Sequence, residues 1–280
     1  MRERDIQLPS GRVRVVTWSP DAPGDDVPVL CVHALSSTHM CFTELGPALA
    51  ERGRTVHAFD MRGRGFSEDT GLGTYGWKAH ARDVLDLAAA LDAPAFDLVG
   101  YSLGAYVSMI VAAEHGDRVR RLALVDGAGR TEPATVEPVT ENLGRLDRWH
   151  DSEEEYLELM RAGGLASPWS EAWERFYRYE LDHAEDGAVR ARTSLPAVLE
   201  DISFGGGFDQ SELWPRLRPP TLLVRATRPL GNSGGYVVNE ADRDRFAAEV
   251  PDARVVEVDA NHFGIIFHAA TVEAVTGFLG

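Results

Sequence analysis

The chain has 280 residues, of which 44% are hydrophobic and 26% are charged, and its formal net charge at pH 7 is −16. A chain of this length can bury roughly three quarters of its unfolded surface, which indicates one large domain or a core domain with an insertion. So acidic a chain offers no surface suited to phosphate backbones or anionic lipids, and we expect neither nucleic acid nor a membrane as a partner.

Several classes of site are also disfavoured. Two cysteines, Cys31 and Cys41, are too few for a disulfide framework or an all-cysteine zinc site. No His/Cys/Asp cluster has metal-ligand spacing, and no glycine-rich loop has phosphate-binding spacing, so we expect no metal and no cofactor. The first residues lead into no apolar segment typical of a secretion signal or a membrane span. We therefore expect a cytoplasmic protein, either a monomer or a homodimer.

Short runs rich in Val, Leu and Ile predict strands that alternate with helical patterns. Most runs are continuous rather than alternating, which suits strands of a parallel sheet covered on both faces. The sequence therefore predicts an α/β fold with a mostly parallel central sheet flanked by helices. The predicted strands are 12–18, 27–32, 55–60, 96–101, 121–126, 221–226 and 253–259, and the predicted helices are 45–52, 79–91, 103–115 and 240–250.

The alternation stops in the segment 131–214, which is helical in pattern, acidic and without a convincing strand. Residues 131–215 hold 19 Asp and Glu against 7 Arg and no Lys. We predict a core domain of residues 1–130 and 215–280, with 131–214 inserted as a helical cap. The tryptophans of this segment either form its own small core or line an apolar pocket, for which the candidates are Trp149, Trp169 and Trp173. The glycines at 205–207 are a candidate hinge, or a turn without a role.

The strongest motif is the sequence Gly-Tyr-Ser-Leu-Gly at residues 100–104, between a predicted strand and a predicted helix. A serine on so sharp a turn has a strained backbone and needs small residues two positions before and after it. The turn presents the hydroxyl at the positive end of the helix, where developing negative charge is stabilised. Ser102 is therefore the candidate nucleophile.

A serine needs a base to activate it, and the base needs an acid to orient it. His262, in Asn-His-Phe-Gly at 261–264, follows the last predicted strand at the carboxyl edge of the sheet. The other histidines fall on strand, helix or loop patterns where a packed or solvated histidine is usual. His262 is therefore the candidate base.

Together these pieces resemble the serine branch of the α/β-hydrolase fold superfamily over essentially the whole chain. The matching segments are 31–37, 60–67, 100–104 and 261–263, in that order. The resemblance implies a Ser-His-acid triad without a cofactor. It also implies an oxyanion hole made by the backbone N–H groups of Leu35 and Leu103. This chain has Ala34 where the family usually has glycine, which costs about 1 kcal/mol if the residue must adopt a positive φ.

The acid departs from the usual family pattern. The turn at 225–235, where the family usually places it, contains no carboxylate. Asp126 lies 24 residues after Ser102, at the end of the next predicted strand, which is the acid position of a minority of the superfamily. A carboxylate there can reach the imidazole and hold its tautomer. We predict Asp126 as the acid, with Glu240 or Asp242 on the following helix as the alternatives and a structural turn as the other role for Asp126.

Two further groups have open roles. His33 is expected to fix its own loop, and Ser36 and Ser37 either face the substrate or cap a nearby helix. Asp60, Arg62 and Ser67 are expected to fold the loop at 60–67 through buried hydrogen bonds, with substrate binding by Arg62 or Arg64 as the alternative.

These features predict a serine hydrolase that acts on a small hydrophobic ester or lactone through an acyl-enzyme. Hydrolysis of a carbon–carbon bond or a thioester can use the same triad, and nothing in the sequence separates these reactions. The alternative outside enzymes is a ligand receptor on the same fold. That alternative predicts the loss of the nucleophile, the base or the acid, and Ser102 and His262 are both present.

Overall fold

The computed structural model of the protein describes residues 1–22, 24–130, 132–205, 209–230 and 234–280. Within these residues, eight strands form one sheet in the order β1-β2-β4-β3-β5-β6-β9-β10. The pairs β1–β2 and β2–β4 are antiparallel, and the remaining neighbours are parallel. The predicted mostly parallel sheet is confirmed.

The described strands are β1 (Arg2–Leu8), β2 (Gly11–Trp18), β3 (Asp25–Val32), β4 (Arg54–Phe59), β5 (Phe96–Tyr101), β6 (Val119–Val125), β7 (Leu181–His183), β8 (Val189–Ala191), β9 (Thr221–Ala226) and β10 (Ala253–Val258). The described α-helices are α1 (Leu45–Glu51), α2 (Trp77–Ala90), α3 (Leu103–Glu114), α4 (Val136–Leu143), α5 (Glu153–Ala162), α6 (Glu171–Tyr179), α7 (Leu195–Gly205), α8 (Glu240–Glu249) and α9 (Ala269–Leu279).

The sheet is covered on both faces because its central strands carry continuous apolar runs, such as Val29–Val32 in β3 and Leu122–Val125 in β6. In β3, Leu30 and Val32 pack into one core with α2 and α3. The alternate residues Val29 and Cys31 pack into a second core with α1 and α9. Successive side chains of a strand point to opposite faces, so a continuous apolar run supplies two cores at once.

Two features of the fold were not predicted from the sequence. The N-terminal strand β1 pairs with β2 along its whole length, although most of its residues are exposed. The inserted segment, predicted to lack strands, contains the antiparallel pair β7–β8. These strands have three residues each, too short to produce a periodic pattern in the sequence.

Helix α6, in the part of the chain between β6 and β9, packs into the second of these apolar cores. Trp173, Phe176 and Tyr177 of this helix belong to the same apolar cluster as the side chains of α1 and α9. Of the candidate hinge at 205–207, only Gly205 lies in the described residues; Gly206 and Gly207 lie outside them.

Candidate active site

The turn between β5 and α3 holds Ser102 with φ +54° and ψ −117°, a conformation that is costly for any residue with a side chain. The flanking glycines are required by close packing. A Cβ on Gly100 would lie 2.3 Å from the Gly104 carbonyl oxygen, and a Cβ on Gly104 would lie 2.0 Å from the Val32 carbonyl oxygen. The structure therefore gives the physical reason for small residues two positions on either side of the serine.

Three side chains from distant parts of the sequence meet at the carboxyl edge of the sheet. The Nε2 atom of His262 lies 2.9 Å from the Ser102 hydroxyl oxygen, and its Nδ1 atom lies 2.7 Å from an oxygen of Asp126. His262 is 7% exposed and Asp126 is 1% exposed. With Nδ1–H donating to the carboxylate, Nε2 is left free to accept the serine proton.

Asp126 directly follows β6 and is held on its other side by the neighbouring strand. Its Oδ1 accepts a hydrogen bond from the Ala226 N–H at 3.0 Å, and its own N–H donates to the Val224 carbonyl at 2.8 Å. Its Oδ2 faces His262. Each carboxylate oxygen thus has its own partner, which fixes the plane of the group toward the imidazole.

The alternative acids have other surroundings. Glu240 is exposed, as expected for a solvated helix face. Asp242 lies on the same helix but is buried, with 8% of its surface exposed. Its carboxylate accepts a hydrogen bond from the Arg130 N–H at 3.1 Å and lies 3.5 Å from the Arg245 guanidinium. Burial raises the pKa of Asp242. Of these three carboxylates, only Asp126 forms a hydrogen bond with His262.

Two residues that sequence reasoning did not single out hold the loop of His262. The Tyr101 hydroxyl donates a hydrogen bond to the His262 carbonyl at 2.8 Å. The Asn261 side chain accepts from the Gly264 N–H at 2.7 Å and donates to the Leu165 carbonyl at 3.1 Å. Tyr101 precedes Ser102 in the motif, so the same turn presents the serine and supports the histidine loop.

The two candidate oxyanion donors come from the start of α3 and from the loop after β3. Leu103 is the first residue of α3, where a backbone N–H has no acceptor inside the helix. Leu35 follows β3 and lines the pocket at Ser102. In the described part of the chain, neither of these N–H groups donates a hydrogen bond. Ala34 is not among the residues with positive φ, so the methyl group in place of a glycine carries no such strain.

His33 fixes the loop that follows β3, as expected. Its Nδ1 contacts the Ala34 carbonyl oxygen at 2.8 Å, and its Nε2 accepts a hydrogen bond from the Met61 N–H at 2.9 Å. It is fully buried, and burial lowers its pKa to about 3. The ring is therefore neutral, which lets one nitrogen donate and the other accept.

Ser102 opens into a pocket of about 90 Å³ with a mainly apolar wall. Contributions come from the loop after β3, the serine turn, the His262 loop and the inserted segment. The lining residues are Ala34, Leu35, Ser36, Ser37, Cys41, Tyr101, Ser102, Val139, Asn142, Arg145, Trp173, Phe176, Tyr177, His262 and Phe263.

Two of the three tryptophans expected in the pocket are elsewhere. Trp173 lines the pocket, but Trp149 and Trp169 do not. Trp149 is 47% exposed, with the Arg190 guanidinium 4.7 Å above its ring. Trp169 stacks on the outer side of the wall, with its ring 5.7 Å from that of Tyr177. The expectation for these two residues is corrected, because one packs against an arginine and the other supports a wall residue.

A buried ion pair at the pocket was not predicted. Arg145 lines the pocket, and its guanidinium contacts the carboxylate of Glu180 at 3.1 Å through both Nε and Nη2. Arg145 is 4% exposed and Glu180 is fully buried. Burial works to lower the pKa of Arg145, but the charge of Glu180, the hydrogen bonds to it and the neighbouring Tyr156 and Tyr177 together raise the pKa above its usual value. The charge of the guanidinium is thus balanced inside the protein.

One of the two roles predicted for Ser36 was to face the substrate, and Ser36 does line the pocket. Its hydroxyl oxygen lies 3.3 Å from the Asn142 side-chain nitrogen. Thr38, not Ser36 or Ser37, caps the short helical turn that follows. Arg62 and Arg64 are buried among partners of their own and do not line the pocket, which disfavours the alternative of substrate binding.

The residues that the structure describes contain no group of three or more His, Cys, Asp or Glu side chains able to hold a metal ion. Among the described helices, none has the length and apolar character needed to cross a membrane.

This sheet order, with a serine on the turn after a central strand and a histidine after the last one, is the architecture of the α/β hydrolases. Residues 27–269 match the family described as alpha/beta hydrolase fold, and the chain belongs to that family. Relatives at 42% and 32% identity carry the names of hydrolases, and the protein is a hydrolase. The fold and the enzyme class predicted from the sequence are both confirmed.

Three similar proteins illustrate the relationship. The chain is 42% identical over 233 residues to a 2-hydroxymuconate semialdehyde hydrolase of Pseudomonas sp. (strain CF600), covering 76% of this chain and 80% of that one. It is 32% identical over 274 residues to a 2-(acetamidomethylene)succinate hydrolase of Mesorhizobium japonicum, covering 94% and 92%. The crystal structure of an E-2-(acetamidomethylene)succinate hydrolase superposes with a TM-score of 0.86 at 21% identity, covering 99% and 98%.

Proposed function

We propose that the protein is a serine hydrolase that transfers the acyl group of a small hydrophobic ester or lactone to water. The observation that carries this proposal is the continuous hydrogen-bonded line from Ser102 through His262 to Asp126, at 2.9 and 2.7 Å. A buried carboxylate and a pocket-facing serine at the two ends of one imidazole are the arrangement that activates a serine.

The reaction proceeds in two halves. Ser102 attacks the carbonyl carbon while its proton moves to Nε2 of His262, and the imidazolium is stabilised by the carboxylate of Asp126. His262 then returns the proton to the leaving oxygen as the carbon–oxygen bond breaks, which leaves an acyl-serine. A water molecule gives a proton to His262 and attacks the acyl carbon, and collapse of the second intermediate returns that proton to Ser102.

The negative oxygen of each tetrahedral intermediate needs preorganised donors. We assign this role to the N–H groups of Leu35 and Leu103. Leu35 lines the pocket at Ser102, and Leu103 starts the helix whose positive end faces the serine. Loss of one such donor typically lowers kcat about 100- to 1000-fold.

The pocket indicates the kind of substrate. Its wall is mainly apolar and its volume is small, which favours a compact hydrophobic acyl group. Because Glu180 balances Arg145, the site needs no substrate anion to neutralise a buried charge. Six wall residues come from α4, α6 and the turn after α4, so we infer that residues 131–214 act as a cap over the pocket.

Hydrolysis of a carbon–carbon bond is a second candidate, which the 42% identical 2-hydroxymuconate semialdehyde hydrolase favours. The same serine can add to a ketone carbonyl. When the carbon–carbon bond breaks, its electron pair stays on the leaving carbon, which is protonated as it is released. The substrate therefore needs a conjugated group at that carbon to accept the pair.

A fluorophosphonate probe tests the serine mechanism directly. We expect one probe molecule per wild-type chain and none in Ser102→Ala. Ser108→Ala removes a buried hydroxyl from α3, the helix that follows Ser102. This variant is the control and should be labelled normally. An unlabelled wild-type protein would favour a receptor without turnover.

A substrate panel then separates the reactions. It contains short p-nitrophenyl esters, small lactones, 2-hydroxymuconate semialdehyde and 2-(acetamidomethylene)succinate, each run with wild type and Ser102→Ala. Ester or lactone turnover with the highest kcat/KM supports the first candidate. A higher kcat/KM for 2-hydroxymuconate semialdehyde replaces it with the second.

A further inference from the structure

Three consecutive carbonyl groups in the loop after β3 are each held by a buried side chain. The Ala34 carbonyl contacts Nδ1 of His33 at 2.8 Å, and the Leu35 carbonyl accepts from Nε of Arg64 at 3.0 Å. The Ser36 carbonyl accepts from Nη2 of Arg145 at 2.7 Å. Such a series is unusual for a loop, whose carbonyls ordinarily face water.

These contacts determine where the loop N–H groups point. A peptide unit is planar and trans, so its carbonyl and its N–H point in opposite directions. The Ala34 carbonyl shares a peptide unit with the Leu35 N–H, and the Leu35 carbonyl shares one with the Ser36 N–H. Holding the Ala34 carbonyl therefore fixes the direction of the Leu35 N–H, and holding the Leu35 and Ser36 carbonyls fixes the two peptide units that follow it.

Both arginines are themselves held by acids from the inserted segment. Arg64 contacts the carboxylate of Asp201 on α7 at 2.5 Å, and neither side chain is exposed. Asp201 also accepts from the Gly76 N–H at 2.7 Å and lies 2.9 Å from Nε2 of His80. Asp201 is thus fixed to the core at several points.

The second pair is built in the same way. Glu180, which follows α6, contacts Nε and Nη2 of Arg145 and also accepts a hydrogen bond from the Tyr156 hydroxyl. A further Arg145 nitrogen donates to the Asn142 carbonyl at 2.9 Å. One rigid guanidinium therefore bridges a carboxylate of the inserted segment and a carbonyl of the loop, which a lysine ammonium cannot reproduce with the same fixed geometry.

We propose that Arg64 and Arg145 are positioning residues that hold the loop carrying the Leu35 N–H of the oxyanion hole, by fixing the two peptide units after it, and that the segment 131–214 controls this loop through Asp201 and Glu180. The proposal rests on the proposed serine hydrolase function. Neither arginine touches the reacting atoms; each acts through the backbone of residues 34–36.

Arg64→Lys and Arg145→Lys test the proposal. Lysine keeps a positive charge beside the buried carboxylate, but it lacks the planar guanidinium that bonds a carboxylate and a carbonyl at once. Arg62→Lys is the matched control. Arg62 is 7% exposed and pairs with the buried Asp83, with Nε to Oδ2 at 2.7 Å, yet its remaining bond goes to the Thr74 carbonyl. The Arg62→Lys variant thus disturbs a comparable ion pair, but the Arg62 side chain makes no hydrogen bond to the loop after β3.

Catalysis and loop order are measured separately. With a p-nitrophenyl ester, we expect both test variants to lose about tenfold or more in kcat, with KM and the midpoint of the pH profile unchanged, because the serine–histidine line is intact. Hydrogen exchange in the peptide spanning residues 33–38 should quicken in both variants, since the Ser37 N–H is bonded to the Ala34 carbonyl. Arg62→Lys should change neither readout.

Equal losses in Arg62→Lys and the test variants, or unchanged exchange in residues 33–38, would overturn the proposal. If Arg64→Lys does not fold, Arg145→Lys and Glu180→Gln carry the same comparison. A wild-type protein without Ser102-dependent turnover would refute the proposed function. The exchange data would still decide whether the arginines position the loop.

Discussion

Asp126 directly follows β6, which lies beside the strand that leads to Ser102, and its two carboxylate oxygens have different partners. One oxygen is bonded to the Ala226 N–H and the other faces His262. Since rotation of the carboxylate would break the first bond, the second is held in place. Asp242, the other buried candidate, is occupied by the Arg130 N–H.

Asp126→Asn should lower kcat by about 1000-fold or more, because an amide that donates to Nδ1 leaves the wrong histidine tautomer at the serine. The fold should be retained, as checked by circular dichroism and thermal unfolding. Asp242→Asn is the control, and its kcat should stay within a few-fold of wild type. Near-normal turnover in Asp126→Asn together with loss in Asp242→Asn would reassign the acid.

The sequence predicts those catalytic groups that a local motif requires. Ser102 and His262 could be selected because each follows a strand in a characteristic setting, and Asp126 because the usual acid position holds no carboxylate. Arg145 could not be selected. In the sequence it is one of seven arginines in an acidic segment, and only the folded chain brings it to Glu180 and the Ser36 carbonyl.

At the scale of elements, helix α6 forms the aromatic side of the pocket. Trp173, Phe176 and Tyr177 are spaced i, i+3 and i+4, so they lie on one face of the helix. That spacing is a signal in the sequence by which Trp173 can be told from Trp149. Trp149 lies in a connecting loop without periodicity. Composition alone, four tryptophans in one segment, could not separate a wall residue from a surface one.

Trp173→Leu should enlarge the pocket and shift its preference toward longer acyl groups. Each added methylene that gains contact is worth about 0.8 kcal/mol, so the ratio of kcat/KM for p-nitrophenyl butyrate to that for the acetate should rise about tenfold. Trp149→Leu, at a residue outside the pocket, should leave this ratio unchanged. Equal ratios in the two variants would remove Trp173 from the substrate wall.

The strands were predicted where apolar residues dominate a run and missed where such residues are few. Strand β5 was predicted with its observed bounds, Phe96–Tyr101, because all six of its residues are buried. Strand β1 was missed because only Ile6 and Leu8 of its seven residues are apolar, which is too little for a pattern. Its position comes from pairing with β2, a long-range contact that the local sequence does not encode.

At the scale of the whole molecule, buried histidines couple stability to pH. Burial lowers the pKa of His33 to about 3 and that of His57 to about 4, from an ordinary value of 6.5. Between pH 6.5 and 4 the unfolded chain therefore binds protons that the folded chain does not. The free energy of unfolding must fall as the pH falls through this range.

We expect each of the two histidines to cost about 2 kcal/mol of stability on going from pH 7 to pH 5. His57→Gln should shrink the difference between urea unfolding at these two pH values by that amount. Thr17→Val is the control: it removes the partner 2.9 Å from Nδ1 but keeps the imidazole, so the difference should persist. An undiminished pH difference in His57→Gln would show that another group governs the acid transition.

The two edge strands of the sheet carry charged side chains. Strand β1 has Arg2, Glu3, Arg4 and Asp5 in succession, and strand β10 has Arg254 and Glu257. If a strand of another copy paired with either edge strand, water would have to be removed from these charged side chains. The charged edge strands therefore disfavour assembly of copies into fibrils. Residues far from the active site thus help to keep a concentrated solution of the protein from aggregating.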